Sequence, residues 1–165
     1  MSRVRSPIRV AVPATLVYRE LVLRAVASAC RLVVDRDVSR LGEHGAIDLS
    51  ERFDARSVSA VSEIFNNVVI HGHDGGDPEA EVRVSIEPGN RCIGVRITDT
   101  GEPFDMRAVV QPDLRQLPQG GMGLFIARSF SDRLAYRAGP PNLWHLTICA
   151  SAKRDEASCR GGDSG

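Results

Sequence analysis

The chain switches between two hydrophobic periods, and each switch marks an element. Ile8–Val12 alternates apolar and polar residues, as a half-buried strand does, and Pro13 ends it. Thr15 is placed to cap a helix from Leu16 to about Val38, where Val17, Leu21, Ala25 and Ala29 recur at helical spacing beside Val22, Val26 and Val33. Gly42 and Gly45 close it. Ala46–Phe53 is loosely patterned, and Asp54 suits the N-cap of a second helix from Ala55 to about His71. This helix has the clearest stripe in the chain. Val58, Val61, Phe65 and Val68 share one face, while Glu63 and Asn67 sit one turn apart on the opposite side.

After a loop rich in Gly, Asp and His at Gly72–Pro78, period two returns. Val82, Val84 and Ile86 alternate on one strand and Ile93, Val95 and Ile97 on the next, joined by the turn signal Pro88-Gly89-Asn90. The two form an antiparallel hairpin, with Asp99 just past its end. Residues 100–120 hold three prolines, two glycines and few apolar positions, the composition of a functional lid or of disorder. Gly120-Gly121-Met122-Gly123 opens a third helix, Leu124–Ser131. Two strands, Leu134–Arg137 and Leu143–Ala150, close the chain around Gly139-Pro140-Pro141-Asn142. Residues 151–165 have almost nothing to bury and are expected to be disordered, so the domain is placed at 1–150. There is no internal repeat. The order β-α-α-β-β-lid-α-β-β predicts an α+β fold: a two-layer α/β sandwich whose mixed, mainly antiparallel sheet is covered on one face by helices.

Composition narrows the chemistry. A chain of 165 residues, 42% hydrophobic, can bury one real core. Its 21 basic residues cancel its 21 acidic ones, which argues against a dedicated nucleic-acid binder or a polybasic membrane anchor. No apolar run approaches the roughly 18 residues of a spanning helix, and Arg3, Arg5 and Arg9 lead into no signal-peptide core, so a cytoplasmic protein is expected. Locally the charge is uneven. Residues 1–40 carry eight Arg against three acids, 41–105 five Arg against thirteen acids, and 106–165 eight basic residues against five acids. Such faces suit partner docking or steering of a charged ligand, though an ordinary solvated surface has the same pattern. Cys30, Cys92, Cys149 and Cys159 form no CxxC pair, and are read as buried reduced thiols rather than a zinc site or a disulfide framework. Lys153 is the only lysine and no GxxxxGK[ST] loop exists, so any ATP chemistry must follow another scheme.

Three places could do that chemistry. Glu63 and Asn67, at i and i+4, offer two oxygens to one point, which suits a magnesium ion that keeps several waters, or a carboxylate base beside a metal-bound phosphate. A solvated polar face would look the same. Asp99-Thr100-Gly101 puts a carboxylate at a strand end, where it can accept from an exocyclic amine such as adenine's, and Gly101 lets the backbone approach a flat ring; a plain turn uses the same residues. Gly120-Gly121-Met122-Gly123 at a helix start exposes free N–H groups to a phosphate. Each is weak alone. Their order along the chain is far more specific.

Taken together, the motifs resemble those of the GHKL (Bergerat-fold) ATPases, and most of all the anti-sigma factor serine kinases. Glu63-Ile-Phe-Asn-Asn67-Val-Val-Ile-His71-Gly72 is similar to the E-x-x-x-N-x-x-x-H-[AG] N-box, Asp99-Thr-Gly-Glu-Pro-Phe-Asp105 to the G1 box, and Gly121-Met-Gly-Leu-Phe-Ile-Ala to the G2 box. The resemblance spans about Ile8 to Ala150. It implies that Glu63 is the general base toward a substrate serine hydroxyl and that Asn67 is the magnesium ligand. It also implies that Asp99 reads the adenine amine with Gly101 against the ring. Gly121 and Gly123 would form the phosphate cradle, with Met122 and Leu124 close by, and Arg115 in the lid could reach the γ-phosphate. One departure stands out. Many relatives carry Gly-Thr before the last strand, whose Thr holds the adenine end, whereas this chain reads Asn142-Leu-Trp-His-Leu-Thr147, leaving Thr147 or His145 for that place. His71 and His73 are assigned to packing, since nothing is spaced to complete a metal site with them.

The activity implied is that of an ATP- and Mg2+-dependent protein serine kinase that is also an anti-sigma factor. It would sequester a sigma factor and phosphorylate a STAS-domain anti-anti-sigma factor, as a homodimer and with no direct contact to nucleic acid or membrane. The alternatives are a non-catalytic, nucleotide-binding partner-switch module and a plain ATPase.

Overall fold

The computed structural model describes residues 6–34, 43–105 and 122–150. Residues 106–121 of the expected lid, with Arg115, Gly120 and Gly121, lie outside the described residues. So do the 35–42 stretch and the 151–165 tail.

Five strands form one antiparallel sheet in the order β1-β2-β3-β5-β4: β1 Ile8–Ala14, β2 Asp77–Pro88, β3 Cys92–Asp99, β4 Arg133–Arg137 and β5 Asn142–Cys149. Period two does its work here. Val82, Val84 and Ile86, then Ile93, Val95 and Ile97, then Trp144, Leu146 and Ile148, all turn to one buried face. The helices α1 Arg19–Val34, α2 Glu43–Asn67 and α3 Met122–Phe130 supply the second layer. The predicted element order and two-layer α+β architecture are both present, and every pairing among the described strands is antiparallel. Among the described residues no helix covers the other face of the sheet. On it lie Arg96, Arg133 and His145, whose pKa is lowered by burial and then by the Arg96 and Arg133 charges.

The helices depart from the sequence pattern in three places. Thr15 makes no side-chain cap bond; a short 3-10 turn, Leu16–Tyr18, precedes α1. The buried face of α1 is Val22, Val26, Ala29, Cys30 and Val33, leaving Val17 84% and Leu21 54% exposed. The expected stripe of Val17, Leu21, Ala25 and Ala29 is therefore rotated toward Val22. Finally, α2 starts at Glu43, not after Asp54. Asp54 is an interior residue beside Cys30 and Arg31 of α1, where burial raises its pKa against the opposing pull of Arg31. Phe53 and Ser57 are fully buried on the same helix, so packing against α1 continues the helix through a stretch without amphipathic period.

A second correction concerns the cysteines. Cys92 and Cys149 are joined in a disulfide, and Cys30 is free and buried. Cys92 opens β3 and Cys149 closes β5, and the register sets them directly opposite each other. Their separation of 57 residues concealed a pairing that is adjacent in the sheet. Close by, Arg56 of α2 donates to the Cys149 carbonyl (3.3 Å) and the Phe130 carbonyl (3.1 Å), and pairs with Asp132 (3.4 Å). One guanidinium thereby ties together the ends of α3 and β5.

Candidate functional site

The last turn of the second helix and the end of the third strand meet at one edge of the sheet. At Asn67 the α-helix passes into a π-helical turn, Val68–Gly72, a local widening often found at functional positions. Val68 and Val69 are buried and anchor this turn. It carries Gly72 against the loop after β3, where Glu102 N donates to Gly72 O (2.8 Å). A Cβ on Gly101 would collide with Gly72 O and crowd His73 Nε2. The glycine of the second motif is thus required by the chain's own backbone at Gly72.

Asp99 is the buried centre of this region, 3% exposed. Its Oδ1 accepts from Gly101 N (2.8 Å) and from Asn142 Nδ2 (3.1 Å), and His73 Nε2 lies 3.5 Å from the same oxygen without a hydrogen-bond partner. Asn142 also donates to Gly101 O (2.8 Å) and accepts from Gly139 N (3.1 Å) and the Tyr136 hydroxyl (3.3 Å). That hydroxyl in turn accepts from Phe104 N (2.7 Å). A cleft opens here, lined by Asn67, Gly72, Asp99, Phe104, Tyr136 and Trp144 among others. Its free space is about 10 Å3, room for roughly one water. The Phe104 ring accounts for the narrowness, lying 5.5 Å from Trp144 and 6.3 Å from Tyr136 in edge-on contacts.

The first and third motifs also meet. Glu63, one turn before Asn67, makes no hydrogen bond or ion pair among the described residues, and its carboxylate lies against the start of α3. A Cβ on Gly123 would collide with Glu63 Oε2. The first turn of α3 thus approaches this acid closely, and the carboxylate sits at the positive end of the helix. Met122 and Gly123 begin α3, and Leu124 is buried in the core.

Not every expected residue belongs to this edge. The β3–β5 register pairs Asp99 with Asn142 and Gly94 with Thr147. Thr147 is five positions along β5 from Asn142, ~17 Å at the rise of a strand. Thr147 and His145 also alternate with the buried Asn142, Trp144 and Leu146, so they belong to the opposite face of the sheet. Asn142, and neither of them, is the last-strand side chain that meets Asp99. It was overlooked because it also ends a Pro-Pro turn; counting back from Asp99 along a paired strand would have found it.

An antiparallel sheet with helices on one face, an acid–amide pair on the second helix, a strand-end aspartate and a glycine at the third helix together define a nucleotide-binding type of domain. The family comparison agrees: residues 12–148 match the histidine kinase-like ATPase domain, and the chain belongs to that family, within the GHKL group. It is similar to an anti-sigma F factor of Pasteuria penetrans, 32% identical over 96 residues, which are 56% of this chain and 63% of that protein. The chain thus spans less than two thirds of that relative's length. Among solved structures, it resembles the RsbU and RsbW domains of a Mycobacterium tuberculosis protein, with a TM-score of 0.53 and 15% identity over 88% of this chain and 32% of that one. That likeness is one of fold.

The donor set suits the ligand such domains take. Asn67 and Glu63 present side-chain oxygens one turn apart, enough for a Mg2+ that draws its other ligands from phosphate and water. Among the described residues no group of three or more His, Cys, Asp or Glu forms a metal cage of its own. None of the described helices is long and apolar enough to cross a membrane.

Proposed function

We propose that this protein is an ATP- and Mg2+-dependent protein serine kinase of the anti-sigma type, which holds a sigma factor and phosphorylates a serine on a STAS-domain antagonist. The observation that carries this reading is the contact of Glu63 with Gly123. It brings a carboxylate without a partner among the described residues to the start of the helix that would cradle phosphate. ATP would supply the phosphoryl group there, with Mg2+ held by Asn67. Glu63 would accept the proton of the attacking serine hydroxyl, and Asp99 would accept from the adenine amine. The similarity to an anti-sigma F factor supports the choice of partners.

The narrow cleft favours one other reading, a partner-switch module that regulates by protein binding alone. Transfer of labelled γ-phosphate from ATP to a cognate STAS protein separates the two. The kinase reading expects stoichiometric labelling that falls by at least about 100-fold in Glu63→Ala, the scale of a lost general base. No labelling by the wild type, with the STAS protein bound, would establish the switch; undiminished labelling by Glu63→Ala would remove Glu63 as the base.

A further inference from the structure

We propose that Arg56 is a positioning residue for the nucleotide phosphates: with Glu63 it clamps α3 at both ends, and so fixes the helix start that would cradle them. This rests on the nucleotide-binding reading above and adds a residue that none of the three motifs contains. Arg56 precedes Glu63 by seven residues of α2, which places the two on one face, ~10.5 Å apart along the axis. Gly123 and Phe130, near the two ends of α3, are also seven residues apart. The spacings match, in opposite directions. Glu63 lies against Gly123 in the first turn, and the Arg56 guanidinium donates to the Phe130 carbonyl at the last residue (3.1 Å). An acid thus meets the positive end of the α3 dipole and a cation its negative end, both carried by the same neighbouring helix.

The rest of α3 offers little else to hold it. Of its nine residues Leu124 and Ala127 are buried, while Phe125 and Phe130 are exposed. Burial is non-directional, so two apolar side chains set α3 against the core without fixing it along its axis; directional bonds at the ends do that. Arg56 is itself referenced to the sheet. It pairs with Asp132 (3.4 Å) and donates to the Cys149 carbonyl (3.3 Å), and Asp132 accepts from Cys149 N (2.8 Å). Loss of Arg56 would let α3 shift, and its first-turn N–H groups would lose their place beside Glu63. The adenine end would not feel that shift, because the bonds that hold Asp99 run to Gly101 and Asn142 and not to α3.

The test is calorimetric titration of the full chain with Mg-ADP, which has phosphates, and with adenosine, which has none. Arg56→Gln is expected to lose about tenfold in Mg-ADP affinity, the scale of one charge-assisted hydrogen bond, with adenosine affinity unchanged. Arg56→Lys keeps a cation at the helix end but not the guanidinium fork, and is expected to lose about threefold, again for Mg-ADP alone. Cys92→Ser with Cys149→Ser leaves Arg56 its bonds to Phe130 and Asp132, so this variant is expected to lose stability while keeping both affinities. Equal losses for Mg-ADP and adenosine in Arg56→Gln, as from a purely structural role, would overturn the inference. So would full Mg-ADP affinity in Arg56→Gln, or the same Mg-ADP loss in the disulfide-free variant. Wild-type binding of Mg-ADP no tighter than adenosine would overturn it while leaving binding of the base intact; binding of neither would overturn the underlying reading as well. Should Arg56→Gln fail to fold by circular dichroism, Arg56→Lys decides on the same criterion.

Discussion

The ladder between β3 and β5 has two ends that hold the same pair of strands by different means. At one end Asp99 faces Asn142; seven positions away on each strand, Cys92 faces Cys149. The cysteine end is closed. A disulfide crosses it, and Arg56 and Asp132 occupy the Cys149 carbonyl and amide. The other end is more deeply buried, yet it keeps polar atoms in reserve: His73 Nε2 is buried with no hydrogen-bond partner among the described residues, and the bonds Asp99 accepts from them all fall on Oδ1. Unspent polar capacity in a buried place is costly unless a ligand uses it. One register thus builds a covalent anchor and a binding edge.

If that division holds, damage to the anchor should reach stability, and damage to the open end should reach ligand binding. The largest expected effect is at the anchor. Cys92→Ser with Cys149→Ser, or reductant added to the wild type, releases a loop of 57 residues and should cost about 4 kcal/mol in unfolding free energy. Denaturant titration with and without reductant measures this, and nucleotide affinity should stay within about twofold. A loss of affinity as large as the loss of stability would show that the two ends are one unit.

Asp99→Ala gives the reciprocal result. It removes the oxygen offered to the ligand and strips one acceptor from Asn142, so ADP affinity should drop about 100-fold, or ~2.7 kcal/mol. Calorimetry reads the affinity and a thermal melt reads the fold. Full ADP affinity in Asp99→Ala would move the base-reading role elsewhere in the cleft.

The sequence made some of this visible and hid the rest for physical reasons. Alternation in Val82–Ile86 and Ile93–Ile97 declares the hairpin because one face is core and the other is not. Val61, Phe65 and Val68 declare the second helix in the same way. The Glu43–Asp54 stretch is helical although its own pattern shows no period. Glu63, Asn67, Asp99 and Gly123 are visible as spaced motifs. Asn142 and the disulfide are not, since both exist only through a pairing of strands far apart in sequence. Gly101 shows a further limit: the need for glycine could be read, but its cause, the backbone of Gly72, could not.

Cys30 sharpens the contrast at the smallest scale. Here the chain buries a thiol without joining it to anything, between α1 and Ser57 and Asp54 of α2. Burial pushes its pKa from 9.0 up to about 12, with Ser57 pulling weakly the other way. The raised value means that the folded protein holds this proton after the unfolded chain has released it. Stability from Cys30 is therefore complete below pH 9 and declines as the pH rises toward 12, by at most about 1.4 kcal/mol per pH unit. Asp54, whose own pKa is also raised by burial, adds to the rise at Cys30. Urea titrations at pH 8, 9 and 10, without reductant so that the Cys92–Cys149 bond is intact, should show the decline in the wild type and a flatter profile in Cys30→Ala. Parallel profiles would mean that the thiol is not held neutral by burial. Alkaline sensitivity would then belong to the disulfide end, and the division between a saturated anchor and a polar site would need a different physical basis.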